Sequence, residues 1–364
     1  MKFWGGLSFY LGKQFVKNTA VILGVLISII VLVDLIELLR RASGKENVTV
    51  FIVLQMVFLR LPHLLQELLP LIALFGGMMT FFRLSRTNEL TVIRASGVSV
   101  WQFLLPGLTV ALLFGIFTLT VINPITATMQ SQFAQMKAKH FKQRTNLLMI
   151  SSQDLWLRQI DNDGLSVIHA RSAINQGVDL ADVIIFRYDK NEQFVGRIEA
   201  ERARLRRGYW DLDNVLMTSP DQPGILKDHL QLDTTLTVTQ IQESFAPPKT
   251  LSFWDLPEFI ETLEQAGFSA INHRLYWHSL IASPVLLFAM VLVAATFSLR
   301  ATRRGQTSLL VMAGIATGFV FYFLTDIIQA LGMSGNLPVP LAAWSPAIII
   351  ILLGLAMMFH LEDG

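Results

Sequence analysis

Six apolar runs, each long enough to cross a bilayer as a helix, constrain this chain more than any other feature of its sequence. They cover roughly residues 17–39, 61–82, 100–122, 275–298, 308–332 and 341–360, and a helical span needs about 20 such residues. Three precede and three follow a polar region at about 145–250 that changes texture completely. A mean hydropathy of +0.50 with 15% charged residues excludes an ordinary soluble domain. The first run is too long for a signal-peptide core and has no small-residue cleavage site close behind it, so it reads as an uncleaved span. The chain has no cysteine, which excludes disulfides and thiolate metal sites and suits an oxidising bacterial envelope.

Orientation follows from Lys and Arg in short loops. Lys2, Lys13 and Lys17 precede the first span, Arg83, Arg86 and Arg94 lie between the second and third, and Arg300, Arg303 and Arg304 follow the fourth. Six spans put all three groups on one side. That side and both termini are therefore expected to be cytoplasmic, and the polar region extracytoplasmic. Two basic clusters then fall outside: Arg40, Arg41 and Lys45 after the first span, and Lys137, Lys139, His140, Lys142 and Arg144 after the third. Two accounts of them stand open. One is headgroup anchoring with helix-end charge; the other is recognition of an anionic ligand such as lipid phosphates.

A straight helix over 51–82 would measure about 48 Å, against roughly 30 Å of hydrocarbon. Arg60, Pro62, His63, Gln66 and Glu67 interrupt its first half. The expectation is an interfacial amphipathic helix at 51–61, a bend at Pro62, and then the span. Pro124 is expected to close the third span, with 125–143 a separate helix. Short β-type runs follow at 155–160, 166–170, 183–188, 194–200, 210–217 and 230–238, punctuated by turn residues. They predict an all-β sandwich, jelly roll or open barrel. A helix is expected at 253–266, stopped by Gly267. The expected fold is thus an α-helical membrane protein with six spans (3+3) and an inserted all-β, jellyroll-like domain. Its parts are 1–144, 145–250 and 251–364.

Residues 83–99 form the longest polar break in the first third of the chain. Leu90 and Ile93 at i, i+3, beside Glu89 and Arg94, predict one short amphipathic helix at about 86–97, with Gly97 as its stop. Gly12-Lys13 resembles the end of a phosphate-binding loop, but Leu7 stands where the first glycine is needed and Gln14 follows the lysine. Paired metal-ligand histidines and a nucleophile elbow are also missing. An ATP site, a catalytic set and a cofactor are therefore not expected in this chain, nor is nucleic acid as a partner. Ionisable residues within spans are functional candidates. Asp34 and Glu37, one turn apart with Arg40 and Arg41 beyond them, form either a neutralised helix end or the lip of a headgroup site. Asp326 and Gln329 suggest pairing with a neighbouring helix or chain. Gly314 and Gly318 form a GxxxG that could serve helix association.

The chain resembles the LptF/LptG permease family of the lipopolysaccharide exporter. The residues that carry the resemblance are Glu37-Leu38-Leu39-Arg40-Arg41, Leu61-Pro62, Glu67-Leu68-Leu69-Pro70, Leu84-Ser85-Arg86-Thr87-Asn88-Glu89-Leu90, Arg94-Ala95-Ser96-Gly97 and Asn123-Pro124. In the second half they are the run GIATGFVFY at 314–322, Leu331-Gly332 and Ala343-Trp344-Ser345-Pro346. The end of the first span resembles LptG-type members more than LptF-type ones. The resemblance implies a Gram-negative inner-membrane permease that extracts lipopolysaccharide from the outer leaflet. Its implied partners are a paralogous LptF-type permease, two copies of an LptB-type ATPase that binds the ATP, an LptC-type anchored jellyroll and an LptA-type periplasmic bridge. By motif, Arg86, Glu89, Leu90, Arg94 and Gly97 would couple to the ATPase. Arg40 and Arg41 would meet the substrate's phosphates, which arginine forks suit, and Asp34 and Glu37 join them as candidate substrate-site residues on the reading of the residues above. The chain departs from some members at Ser131 and Ala134, where they carry arginines.

Two other classes stay open at this level. One is a scaffold driven by a cytoplasmic ATPase without passage of substrate. The other is a membrane enzyme acting on envelope lipids, which lacks a convergent catalytic set.

Overall fold

The computed structural model describes residues 2–43, 48–141, 147–150, 155–161, 164–174, 178–189, 193–220, 222–234, 236, 246–265, 269–298 and 307–362. They fall into two compact units, one of Met1–Ala134 with Leu275–Gly364 and one of Gln135–Arg274. Six helices among the described residues are long and apolar enough to cross a membrane.

In the helical unit, α1 (Lys2–Ala42) is followed by α2 (Val50–Arg86), the short α3 (Glu89–Ala95) and α4 (Val100–Phe117). A π turn (Thr118–Ile122) joins α4 to α5 (Asn123–Phe141). Lys13 and Lys17 lie inside α1, which begins well before the apolar run of the expected span. Thr49 caps α2, and a Ser99–Gln102 capping box starts α4, reciprocal bonds that satisfy otherwise orphaned N–H groups.

Two expected breaks do not occur. α2 is one helix of 37 residues that runs through Pro62 and Pro70. Its first half is not a separate helix but continues into the span, with Val53, Met56, Val57 and Leu59 buried within the protein. That burial offsets the hydrogen bond each proline removes. At Pro124 the helix also continues, and the π turn directly before it explains how. The Asn123 N–H donates to the Thr118 carbonyl, five residues back, so the register shifts where the proline ring and its missing N–H would otherwise break an α-helix.

The second half holds α7 (Ile271–Ser298), α8 (Thr307–Met333) and α9 (Val339–Glu362). α2 and α7 sit inside the bundle, and small residues set their approach to neighbours. A Cβ on Gly76 would lie 2.9 Å from the Thr19 backbone, and one on Gly115 2.5 Å from the Cα of Pro284. Gly314 and Gly318 face Met78 and Leu71 of α2. The GxxxG therefore packs α8 on α2 within this chain and is not left over for association with another.

The β unit contains strands β1 (Leu147–Ile150), β2 (Leu155–Asp161), β3 (Gly164–Ile174), β4 (Asp179–Tyr188), β5 (Phe194–Arg206), β6 (Tyr209–Ser219) and β7 (Gln222–Asp233). Each is antiparallel to the next, in sequence order. β1 was not expected, and β7 lies upstream of the expected 230–238 because the last hairpin closes between Ser219 and Gln222. Pro223 is tolerated there because β7 is an edge strand. After it come α6 (Leu256–Gln265), with Leu256, Ile260 and Leu263 buried, and the first turn of α7.

The meander does not stay flat. In β4 the buried positions are Leu180, then Val183 and Ile185; in β5 Ile198 and Ala200, then Ala203 and Leu205; in β6 Trp210 and Leu212, then Val215. The parity changes within each strand. The change falls at Asp182, Glu201 and Asn214, which oppose one another in the extrapolated register. Asp182 and Asn214 have φ of 51° and 53°, left-handed backbone that Asp and Asn accept more readily than other side chains. Asn214 Nδ2 also donates to Glu201 Oε2 at 2.6 Å. This row is a crease, and both halves of the sheet turn their apolar face inward across it. The fold-over brings Gln159 of β2 to the end of β7, where it donates to the Asp233 carbonyl (3.0 Å) and accepts from Thr234 Oγ1 (2.6 Å). An inserted antiparallel β domain between two sets of three spans is thus present, as the sequence predicts.

Replacing Asn214 with Ile puts a β-branched residue at positive φ and is expected to destabilise the sheet by about 1–3 kcal/mol, whereas Asn214→Gly costs little. Hydrogen-exchange protection of β5 and β6 in the full chain measures the difference.

Candidate functional site

Among the described residues of the helical unit, charged side chains cluster at each end of α1. At the C-terminal end, Asp34 is buried and Arg60 of α2 donates to it at 2.5 Å. The Arg60 guanidinium also lies 5.6 Å from the centre of the Phe133 ring of α5. One helical turn on, Glu37 pairs with Arg41 at i, i+4. His63 and Glu67 of α2 are in contact at 3.3 Å. Arg40 is exposed and, among the described residues, makes no ion pair. Asp34, Glu37, Arg40 and Arg41 are therefore brought together, but not on equal terms. Asp34 is committed to Arg60 and Arg41 is held by Glu37, while Arg40 has its fork available to an anion.

Arg60 is the residue that sequence reasoning missed. It registered only as an interruption of an apolar stretch. The usable signal was that Asp34 is a second isolated charge in an apolar stretch, and buried charges of opposite sign find each other.

At the other end of α1 lies α3. Leu90 and Ile93 are buried in the bundle core beside Phe81, Phe82 and Phe103. Val92 and Arg94 point outward, so the amphipathic pattern is realised. The helix stops where expected: Gly97 has φ of 85° and its N–H donates to the Arg94 carbonyl at 3.0 Å. α3 is shorter than the expected 86–97, because Arg86 ends α2 and Thr87-Asn88 make the turn. Glu89 is not simply presented outward. It accepts from Tyr10 of α1 at 3.0 Å and from Thr87 at 2.9 Å. Asp326 is exposed on α8, with no partner of opposite charge among the described residues.

Lys45, Lys142, Arg144, Arg300, Arg303 and Arg304 lie outside the described residues. In the β unit, Asp211, Asp213 and His229 bring three ligand atoms within 4.8 Å of one another. Arg204 lies 3.6 Å from Asp213 and the His229 ring 2.9 Å from it. The guanidinium supplies the positive charge that a cation would otherwise bring. His273 is buried, bonded to the Ala246 carbonyl at 3.0 Å and packed on Phe259, a structural arrangement.

Residues 9–360 match the family described as lipopolysaccharide export system permease LptF/LptG. The chain belongs to this family. It is 23% identical over 366 residues to the lipopolysaccharide export system permease protein LptG of Escherichia coli K12, covering 99% of each chain. It is 22% identical over 349 residues to the protein of the same name from Haemophilus influenzae, covering 94% of this chain and 95% of that one. The match spans both halves of the permease and the inserted sheet, so both clusters lie within the matched transport subunit, a multi-pass membrane protein.

Removing Arg60 alone (Arg60→Ala) strands the Asp34 carboxylate and is expected to cost about 3 kcal/mol. Replacing both residues with leucine should restore much of that loss. Thermal unfolding of the full chain in detergent checks both.

Proposed function

We propose that this permease extracts lipopolysaccharide from the outer leaflet of the inner membrane and is driven by a separate cytoplasmic ATPase that docks on α3. The observation that carries the reading is the state of α3. Its apolar side is anchored in the bundle while Val92, 68% exposed, and Arg94 remain available to a partner. The Lys and Arg distribution supports cytoplasmic termini with the β unit in the periplasm. No phosphate-binding loop occurs in the sequence, which supports an energy source outside this chain; by family resemblance that source is two copies of an LptB-type ATPase. A paralogous LptF-type permease, an LptC-type anchor and an LptA-type bridge complete the assembly. The substrate supplies phosphates, and Arg40 is the cation best placed to meet them.

Co-expression of the tagged chain with candidate ATPases tests the docking. Val92→Glu is expected to abolish co-purification of the ATPase while membrane insertion is unchanged; undiminished capture would exclude α3 as the docking element. For the substrate, Arg40→Ala should weaken lipopolysaccharide binding about threefold to tenfold at low ionic strength, and less at high salt. Arg41→Ala should have the smaller effect, because Arg41 is already paired with Glu37. Binding titrations at two salt concentrations read both.

A further inference from the structure

α1 touches α2 in an uneven way. Between residues 19 and 33 no side chain of α1 is buried. On either side of that stretch the helix is gripped by polar contacts. At the α3 end these form a ladder on one helical face, at positions 10, 14 and 18, since residues four apart stack on the same side. Tyr10 donates to Glu89 at the rim. The Gln14 side chain, oriented to satisfy both groups, accepts from Arg83. Asn18, 2% exposed, donates to Thr80 Oγ1 at 3.1 Å, and Thr80 donates in turn to the Gly76 carbonyl at 2.7 Å. Beside this rung the missing side chain of Gly76 lets Thr19 approach the α2 backbone. At the far end the tie among the described residues is Asp34 to Arg60. Asn18 and Asp34 are 16 positions apart, about 24 Å along the axis.

Each contact is directional and several are buried in an apolar bundle, where breaking one leaves a polar group without water to replace its partner. α1 contains no proline and is helical without interruption from Lys2 to Ala42. Two unbroken helices fixed to each other at both ends rotate together. The apolar contacts of α1 with α4, such as Phe15 near Gly107, carry no such direction.

We propose that α1, α2 and α3 form one rigid lever, in which Tyr10, Gln14 and Asn18 are positioning residues. They transmit displacement of α3 to the outer end of α1, where Asp34, Arg40 and Arg41 lie. The proposal rests on the functional reading above, in which a motor acts on α3. Glu89 then has a role apart from any ATPase contact: it ties the docking helix to α1.

The test uses the full-length chain with its co-purified partners in nanodiscs containing lipopolysaccharide. It compares wild type with the combined variant Tyr10→Phe, Gln14→Leu, Asn18→Leu. ATP hydrolysis and ATPase capture should stay within about twofold of wild type, while lipid extracted per ATP falls about tenfold. An unchanged extraction-to-hydrolysis ratio would overturn the lever. A second arm guards against misfolding of that variant. The natural chain has no cysteine, so Asn18→Cys with Thr80→Cys gives a single cross-link between α1 and α2. Extraction that persists after oxidation supports a contact kept throughout the cycle; extraction that stops on oxidation and returns on reduction refutes it. If the wild-type assembly itself shows no ATP-driven extraction, the functional reading falls and the lever with it.

Discussion

A polar side chain inside an apolar helical bundle has to find its partner within the protein, because no water is there to supply one. That constraint organises the helical unit. Asp34 finds Arg60, Asn18 finds Thr80, and Gln14 finds Arg83. Each pairing joins α1 to α2, and none joins α1 to α4 or α8. Small residues set close approach between helices, beside a polar tie at Gly76 and Thr19 and elsewhere without one. Gly115 admits Pro284, and Gly314 and Gly318 admit α2 side chains. Polar pairs thus tie α1 to α2, and glycines fix how closely the helices approach one another.

The architecture was legible in the sequence because its main signals are long and redundant. Six apolar runs of about 20 residues leave little freedom once lipid is the solvent. α3 was legible for a local reason: Leu90 and Ile93 share a face and Gly97 can take the positive φ that ends the helix. Pro62 and Pro124 were misread because a proline in sequence carries only its local cost. Whether a helix breaks there depends on burial of the flanking turns and on a π turn that can absorb the register. Neither is visible in a linear pattern.

The functional clusters were legible in membership and less so in wiring. Asp34, Glu37, Arg40 and Arg41 lie within two helical turns, so their proximity follows from helix geometry alone. The partner of Asp34 is 26 positions away, and that of Tyr10 is 79 positions away. Pairings at such separations depend on how helices pack. The same limit hid the crease of the β unit. Asp182 and Asn214 read in sequence as ordinary polar positions, and the line they form with Glu201 is visible only once β4, β5 and β6 are paired.

That crease gives the inserted sheet two kinds of length. Hairpin loops can grow or shrink without moving any strand residue from one face to the other. Between the crease and a hairpin the count is fixed, because adding or deleting one residue inverts every position on that side and sends its apolar set outward. The arms of the strands are therefore measured from their middles, at Asp182, Glu201 and Asn214, and not from their ends. Related chains can be expected to vary at the tips of this domain while keeping the spacing to its spine.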